Sequence, residues 1–119
     1  MSTGTIFASD LVAEWPNKYK ESRSCELFVD IDTKDQFENF KTRIEFFQKF
    51  RQCIYNIKIS KSGLPHRHIY ITLGEDYPVM DRLIMQTFLC SDPVRDFLSY
   101  IQHLEGEENP IIFNIEGEI

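Results

Sequence analysis

No apolar run in this chain approaches the roughly 20 residues that a helix needs to cross a membrane, so no such span is expected. The first residues, MSTGTIFASDLVAEW, lack a basic stretch followed by an apolar block, so no secretory leader is expected either. Cysteine is scarce: Cys25, Cys53 and Cys90 are odd in number, far apart and never in a CxxC pair. That pattern speaks for reduced thiols in a cytoplasmic protein. Positive charge is short as well. With 13 Lys and Arg against 19 Asp and Glu, the net charge of −6 argues against a protein that coats nucleic acid by bulk attraction. Internal repeats and low-complexity tracts are missing too.

What is present is enough for one domain with a real core: 119 residues, 42% hydrophobic, with ten phenylalanines. The charge is uneven. Lys34, Lys41, Arg43, Lys49, Arg51, Lys58, Lys61 and Arg67 fall in one stretch, and Glu105, Glu107, Glu108, Glu116 and Glu118 crowd the tail. A local basic surface can therefore coexist with a negative total.

Residues 1–24 show weak periodicity and read as an arm ahead of a domain over 25–119. CELFVDID (25–32) alternates as a strand does. Thr33 followed by Gln36 fits a capping box, and the helix after it carries Phe37, Phe40, Ile44 and Phe47 on one stripe to about Arg51. CIYNIKIS (53–60) and HRHIYITL (66–73) alternate around the turn KSGLP and read as a hairpin. A helix is expected from about Val79 to Leu89. Another is expected from Asp92 as cap and Pro93 as first helical residue to a stop at Gly106, with Val94, Phe97, Leu98, Ile101 and Leu104 as its buried stripe. PIIFNIEG (110–117) closes as a strand. The order β-α-β-β-α-α-β predicts an α+β fold close to the split β-α-β (ferredoxin- or RRM-like) arrangement. It has a single antiparallel sheet with helices mainly on one face.

Alternation assigns the two faces of that sheet. Leu27, Val29 and Ile31, then Tyr55, Ile57 and Ile59, then Ile69, Ile71 and Leu73 form the face expected to meet the helices. The other face carries Glu26, Phe28, Asp30 and Asp32; Asn56, Lys58 and Ser60; and His66, His68, Tyr70 and Thr72. His66 and His68, at i and i+2, point the same way at roughly 6.6 Å spacing, so two imidazoles can grip one ion while a carboxylate from the next strand completes the set. Asp30 is the first choice for that carboxylate, with Glu26 and Asp32 on its face. Incidental histidines at a hairpin end are the plain alternative.

PHRHIYITL resembles the His-hydrophobe-His motif of the HUH endonucleases, the replication initiators (Rep), relaxases and related transposases, although Arg67 stands where a hydrophobe is usual. Tyr100, in DFLSYIQHL, follows the histidines as the catalytic tyrosine does in the Rep branch. The resemblance covers roughly residues 25–105 and is closest to the small Rep proteins of archaeal rod-shaped viruses. It implies a metal-dependent enzyme that nicks and rejoins single-stranded DNA during rolling-circle replication. Tyr100 would attack phosphorus, leaving a 5′-phosphotyrosine and a free 3′-hydroxyl as primer. A divalent ion, Mn²⁺ or Mg²⁺, on His66, His68, Asp30 or Glu26 would polarise the phosphate. His103, one turn beyond Tyr100, would assist proton transfer. Lys58, Lys61 and Arg67 would contact phosphates, and Phe28 and Tyr70 would stack bases. One strong tyrosine implies that a second subunit of a homodimer supplies another, in the host cytoplasm if the chain is viral. Tyr77 is the second choice of nucleophile, and Tyr55 reads as core.

Two other classes fit. VDID followed by SKSGLPHRH also resembles the paired aspartates and histidine of archaeal-type primases, with Asp30 and Asp32 holding metals for nucleotide transfer. A non-catalytic single-stranded nucleic-acid-binding module on an open sheet, or an interaction protein with PIIFNI at a dimer edge, would need no metal at all.

Overall fold

The structure, a computed structural model, describes residues 19–50, 54–63 and 66–115. The strands are β1 (Tyr19–Glu21), β2 (Glu26–Ile31), β3 (Ile54–Gly63), β4 (His66–Leu73) and β5 (Ile112–Asn114). The helices are α1 (Lys34–Phe50), α2 (Val79–Phe88) and α3 (Pro93–Leu104), and none of them is long and apolar enough to cross a membrane. The fold is α+β, with antiparallel pairing throughout.

Among the described residues there are two sheets, not one. Strands β2-β4-β3 form a three-stranded sheet, and β1-β5 form a separate two-stranded ribbon. The expected single sheet fails because the closing strand finds another partner. Tyr19–Glu21, inside the stretch read as an arm, pairs with Ile112–Asn114 and draws it off the main sheet. Residues 1–18 lie outside the described residues.

The capping box before α1 forms in a displaced version. Thr33 Oγ1 accepts from the Gln36 amide at 3.1 Å, while Gln36 Oε1 accepts from the amide of Asp32 at 2.8 Å rather than from the cap itself. The Gln36 side-chain NH₂ then donates to the carbonyls of Asp30 and Cys90, tying α1 to β2 and to the α2–α3 turn. The stripe of α1 packs as its spacing predicts. Phe40, Ile44 and Phe47 are buried with Leu27, Val29, Ile31, Ile69, Ile71 and Leu73, and Phe37 packs at the margin.

Helices do not keep to one face. Helix α2 stands beside β2 and feeds two cores: Met85 and Phe88 pack against the α1 side, whereas Val79 and Leu83 join Phe28, Tyr70, Ile111 and Phe113 on the other. Strand β2 is buried along its whole length, although it is an edge in the pairing order. Its outward amides are satisfied by side chains: Phe28 N–H donates to Gln86 Oε1 (2.9 Å) and Asp30 N–H to Ser91 Oγ (3.0 Å). The Asp92 amide in turn donates to the Asp30 carbonyl at 2.9 Å. A covered edge of this kind leaves no ladder for another chain to extend.

The turn that makes this possible is a Schellman motif. Cys90 and Ser91 amides donate to the Thr87 and Gln86 carbonyls, and Cys90 takes φ 67°, a left-handed conformation usually left to glycine. Helix α3 starts as expected, with Asp92 Oδ1 accepting from the Val94 amide and Pro93 in the first turn. It stops with Gly106 at φ 105°.

Two packing expectations are overturned. Tyr55, read as core, is 86% exposed, because β3 is the far edge of the sheet and its register slips between Ile54 and Asn56. The apolar stripe expected to be buried on α3 faces outward instead: Val94, Phe97, Leu98 and Leu104 are exposed, while Asp96 and Ser99 are buried. Polar partners decide the rotation of the helix. Asp96 accepts from Gln86 and Thr87 of α2, and Ser99 Oγ donates to the Pro110 carbonyl.

Candidate metal centre

The sheet face away from α1 is organised in rows across β2, β4 and β3. Glu26, Thr72 and Asn56 form one row; Phe28, Tyr70 and Lys58 the next; Asp30, His68 and Ser60 the third. Asp32 and His66 stand beyond them, joined at 3.2 Å between Asp32 Oδ1 and His66 Nδ1. In the third row Asp30 Oδ1 faces His68 Nε2 at 3.7 Å. Both histidines therefore point to the side that alternation assigns, and each meets an aspartate.

Helix α3 completes the cluster from its first turn. Asp92 brings its carboxylate to Asp30 and Asp32, so that one oxygen from each lies within 4.8 Å of the other two. Arg95 Nε donates to Asp30 Oδ2 at 2.9 Å and its Nη1 to the Ile112 carbonyl at 3.1 Å. Phe113 of β5 roofs the cluster, with its ring 4.1 Å from that of His68 and 5.0 Å from the Arg95 guanidinium. Burial pushes the Asp30 carboxyl above its ordinary range, Arg95 pulls it back, and the neighbouring Asp32 charge pushes it up again.

Three carboxylates with one guanidinium leave an excess of negative oxygen, the donor set that hard divalent cations take. The side chains present fit such an ion. Asp30 turns Oδ1 toward His68 while Arg95 occupies Oδ2. The grouping differs from the one expected, which paired both imidazoles with Asp30 or Glu26. Here the close trio is acidic, and the histidines border it one to each aspartate.

Glu26 is not part of the cluster. It lies four residues from Asp30 along β2, roughly 13 Å, and both its oxygens are engaged. Oε1 accepts from the Arg23 amide (2.9 Å) and lies 3.2 Å from Arg23 Nε, and Oε2 lies 3.7 Å from Lys20 Nζ. Burial disfavours its charge, but the hydrogen bonds from Arg23 and the Lys20 charge outweigh that and hold its carboxyl below the usual range.

Tyr100 faces elsewhere. It packs at the edge of the second core and lines a groove between α2 and α3 with Met80, Leu83, Phe97 and Asp96, a groove that holds neither histidine. Arg95, which does reach the cluster, precedes Tyr100 by five residues, about 140° around the helix. His103 bonds through Nδ1 to the Glu107 carbonyl at the far end of α3. Tyr77 packs against the first core, with its hydroxyl near Glu75.

The residues expected on nucleic acid divide. Phe28 and Tyr70 are 1% and 5% exposed under Phe113, so the open platform for bases that the resemblance implied is closed by β5. Arg67 turns to the α1 side and lies over the Phe37 ring at 4.4 Å. Lys58 is exposed on the histidines' face. Lys61 pairs with Arg67 through the backbone, and its side chain lies outside the described residues. Asp92 and Arg95 were not singled out from sequence as site residues. Asp92 read as a helix cap, which it also is, and nothing local marks Arg95.

No protein-family model matches the chain, and no curated protein and no solved structure shows significant similarity to it.

Proposed function

We propose that this protein is a divalent-cation-dependent nucleotidyltransferase acting on single-stranded nucleic acid, along the lines of the archaeal-type primases that its VDID and SGLPHRH segments resemble. The observation that carries this reading is the meeting of Asp30, Asp32 and Asp92 beside His68, while Tyr100 lines a different groove. In such chemistry the nucleophile comes with the substrate. A strand's 3′-hydroxyl attacks the α-phosphorus of a nucleoside triphosphate, the new phosphodiester forms, and pyrophosphate leaves with the electrons of the broken P–O bond. A divalent ion on the aspartates would supply charge neutralisation at the phosphate oxygens. Asp30 near the end of β2 and Asp32 just past it lie two residues apart, and Arg95 fixes the first of them in orientation. His68, next to Asp30 and stacked on Phe113, is the group positioned to hydrogen-bond a phosphate oxygen.

A second reading, the Rep-type nickase, is favoured by the pairing of both strand histidines with acids on a single face. It asks for a phenol at the cluster. Tyr100 of the same chain lines a different groove, so this reading needs Tyr100 from another subunit of a homodimer or a different tyrosine.

One experiment separates them: Mn²⁺, labelled nucleotides and unlabelled single-stranded DNA, followed by denaturing gels. Labelled oligomers that vanish in Asp30→Asn and Asp32→Asn and persist in Tyr100→Phe support nucleotidyl transfer. Label-free synthesis lanes together with DNA covalently shifted by protein, lost in Tyr100→Phe, would replace it with nicking.

A further inference from the structure

One cavity on the histidines' sheet face belongs to neither the acidic cluster nor the α2–α3 groove. It measures about 430 Å³, within the range of small-molecule sites, and its charged wall is Lys20, Arg23 and Lys58, with Glu26 beneath. Asn56 and Thr72 add polar groups, and Tyr70 forms the side nearest the aspartates.

The cations here are arranged, not scattered. Glu26 is buried at the base and holds Lys20 Nζ at 3.7 Å and Arg23 Nε at 3.2 Å. Lys20 Nζ also sits 5.8 Å from the Phe28 ring centroid and 5.9 Å from that of Tyr70, so two aromatic rings and a carboxylate set its position. Lys58 approaches from β3, on the other side of β4, and makes no ion pair among the described residues. Three cations against one carboxylate leave a net charge of about +2 around one concavity, in a chain whose total is −6. A surface that gathers positive charge against the sign of the whole molecule suits a polyanion.

Position narrows the ligand. Thr72, Tyr70 and His68 are successive residues on one face of β4, roughly 6.6 Å apart, so the cavity and the aspartate cluster are adjoining stations on the same surface. The His68 and Tyr70 rings meet edge-on at 6.4 Å at the boundary.

We propose that this cavity is a phosphate-binding subsite, in which Lys20, Arg23 and Lys58 receive the phosphate groups of a nucleotide, free or within a strand. The assignment rests on the function proposed above for its meaning, but its test does not. The arginine fork can take two oxygens of one phosphate while the ammonium groups act as point charges on its neighbours. Glu26 is a positioning residue: it aims two of the cations and takes no part in contact.

The test is binding without divalent metal, in EDTA, where the acidic cluster contributes nothing favourable. The probes are inorganic tripolyphosphate, a fluorescent nucleoside triphosphate and a labelled single-stranded oligonucleotide. Wild-type protein binds the triphosphate probe, and tripolyphosphate displaces it. Lys58→Glu and Arg23→Ala each weaken binding tenfold or more, whereas Lys41→Ala, an exposed base on α1 across the sheet, leaves it within twofold. The oligonucleotide arm identifies the source: a strand that competes with tripolyphosphate and loses affinity in Lys58→Glu occupies the same subsite, and one that does neither assigns it to the free nucleotide. Circular dichroism and an unchanged melting temperature show that the exposed Lys58→Glu and Arg23→Ala variants are folded. Absent binding of all three probes, or equal binding by Lys58→Glu and wild type, overturns the assignment, even where metal-dependent synthesis by the aspartates stands.

Discussion

The Arg95 guanidinium and the Asp30 carboxylate, 65 residues apart, meet at 2.9 Å where the start of α3 crosses the end of β2. The contact leaves Asp30 Oδ1 turned toward His68 and makes α3 part of the cluster rather than a helix packed nearby. Removing one partner leaves the other charge partly buried and uncompensated. Arg95→Ala is therefore expected to lower stability at neutral pH by about 1–2 kcal/mol, moderated because the arginine is partly exposed. Burial already raises the Asp30 carboxyl, and losing Arg95 raises it further. A protonated Asp30 needs no partner, so the deficit shrinks as pH falls. Denaturant melts at pH 7 and pH 4 check this; a deficit that grows on acidification would refute it.

Asp96 gives the clearest pH dependence. Burial pushes its carboxyl up to about 6, although hydrogen bonds from Thr87 and Gln86 and the Arg95 charge pull the other way. A raised folded-state pKa means that the folded chain holds this proton more tightly than the unfolded chain. Its contribution to stability is full below about pH 4 and is lost as pH rises through about 6, a change on the order of 2–3 kcal/mol. Asp96→Asn keeps a neutral acceptor in place. It is expected to flatten the melting temperature between pH 4 and 7 and to exceed wild type at pH 7.

At Cys90 the backbone sits at φ 67°, which costs an ordinary side chain roughly 1 kcal/mol that glycine does not incur. Cys90→Gly is expected to raise stability by about 0.5–1 kcal/mol. Cys90→Val, whose branched side chain fits this region poorly, is expected to lower it by more than about 1 kcal/mol. Because this turn delivers Ser91 and Asp92 to β2, the valine variant should also weaken Mn²⁺ binding.

Mn²⁺ is expected to raise the melting temperature through binding to the folded state alone. Asp32→Asn and Asp92→Asn should each reduce that rise, and a double variant should abolish it. His66→Ala should change it little, since His66 is largely exposed and joins the cluster only through Asp32. Thermal shift with and without Mn²⁺, checked by the electron paramagnetic resonance of free Mn²⁺, tests the set. An undiminished shift in the double variant would remove the aspartates as ligands.

Much of the site was legible in the chain. Parity along β2 and β4 put Asp30, Asp32, His66 and His68 on one face, and the structure keeps them there. Parity gives a side, however, and not what lies above it. The same alternation placed Phe28 and Tyr70 on an open surface, and β5 buried them by pairing with β1. Likewise the spacing on α3 marked an apolar stripe correctly as a stripe, while hydrogen bonds of Asp96 and Ser99 turned it outward.

By itself the sequence determined the local elements: the caps at Thr33 and Asp92, the stop at Gly106, the alternation of the hairpin and the stripe of α1. These depend on hydrogen bonds and side-chain spacing within a few residues, so the residues that decide them are neighbours in the chain. Only the tertiary structure decided that Asp92 and Arg95 would join Asp30, that Glu26 would serve Lys20 and Arg23 instead, and that Tyr100 would face another groove. Those outcomes follow from which surfaces meet, and that was set by long-range partners, above all the closing strand's choice of β1 and the polar contacts that fix the rotation of α3.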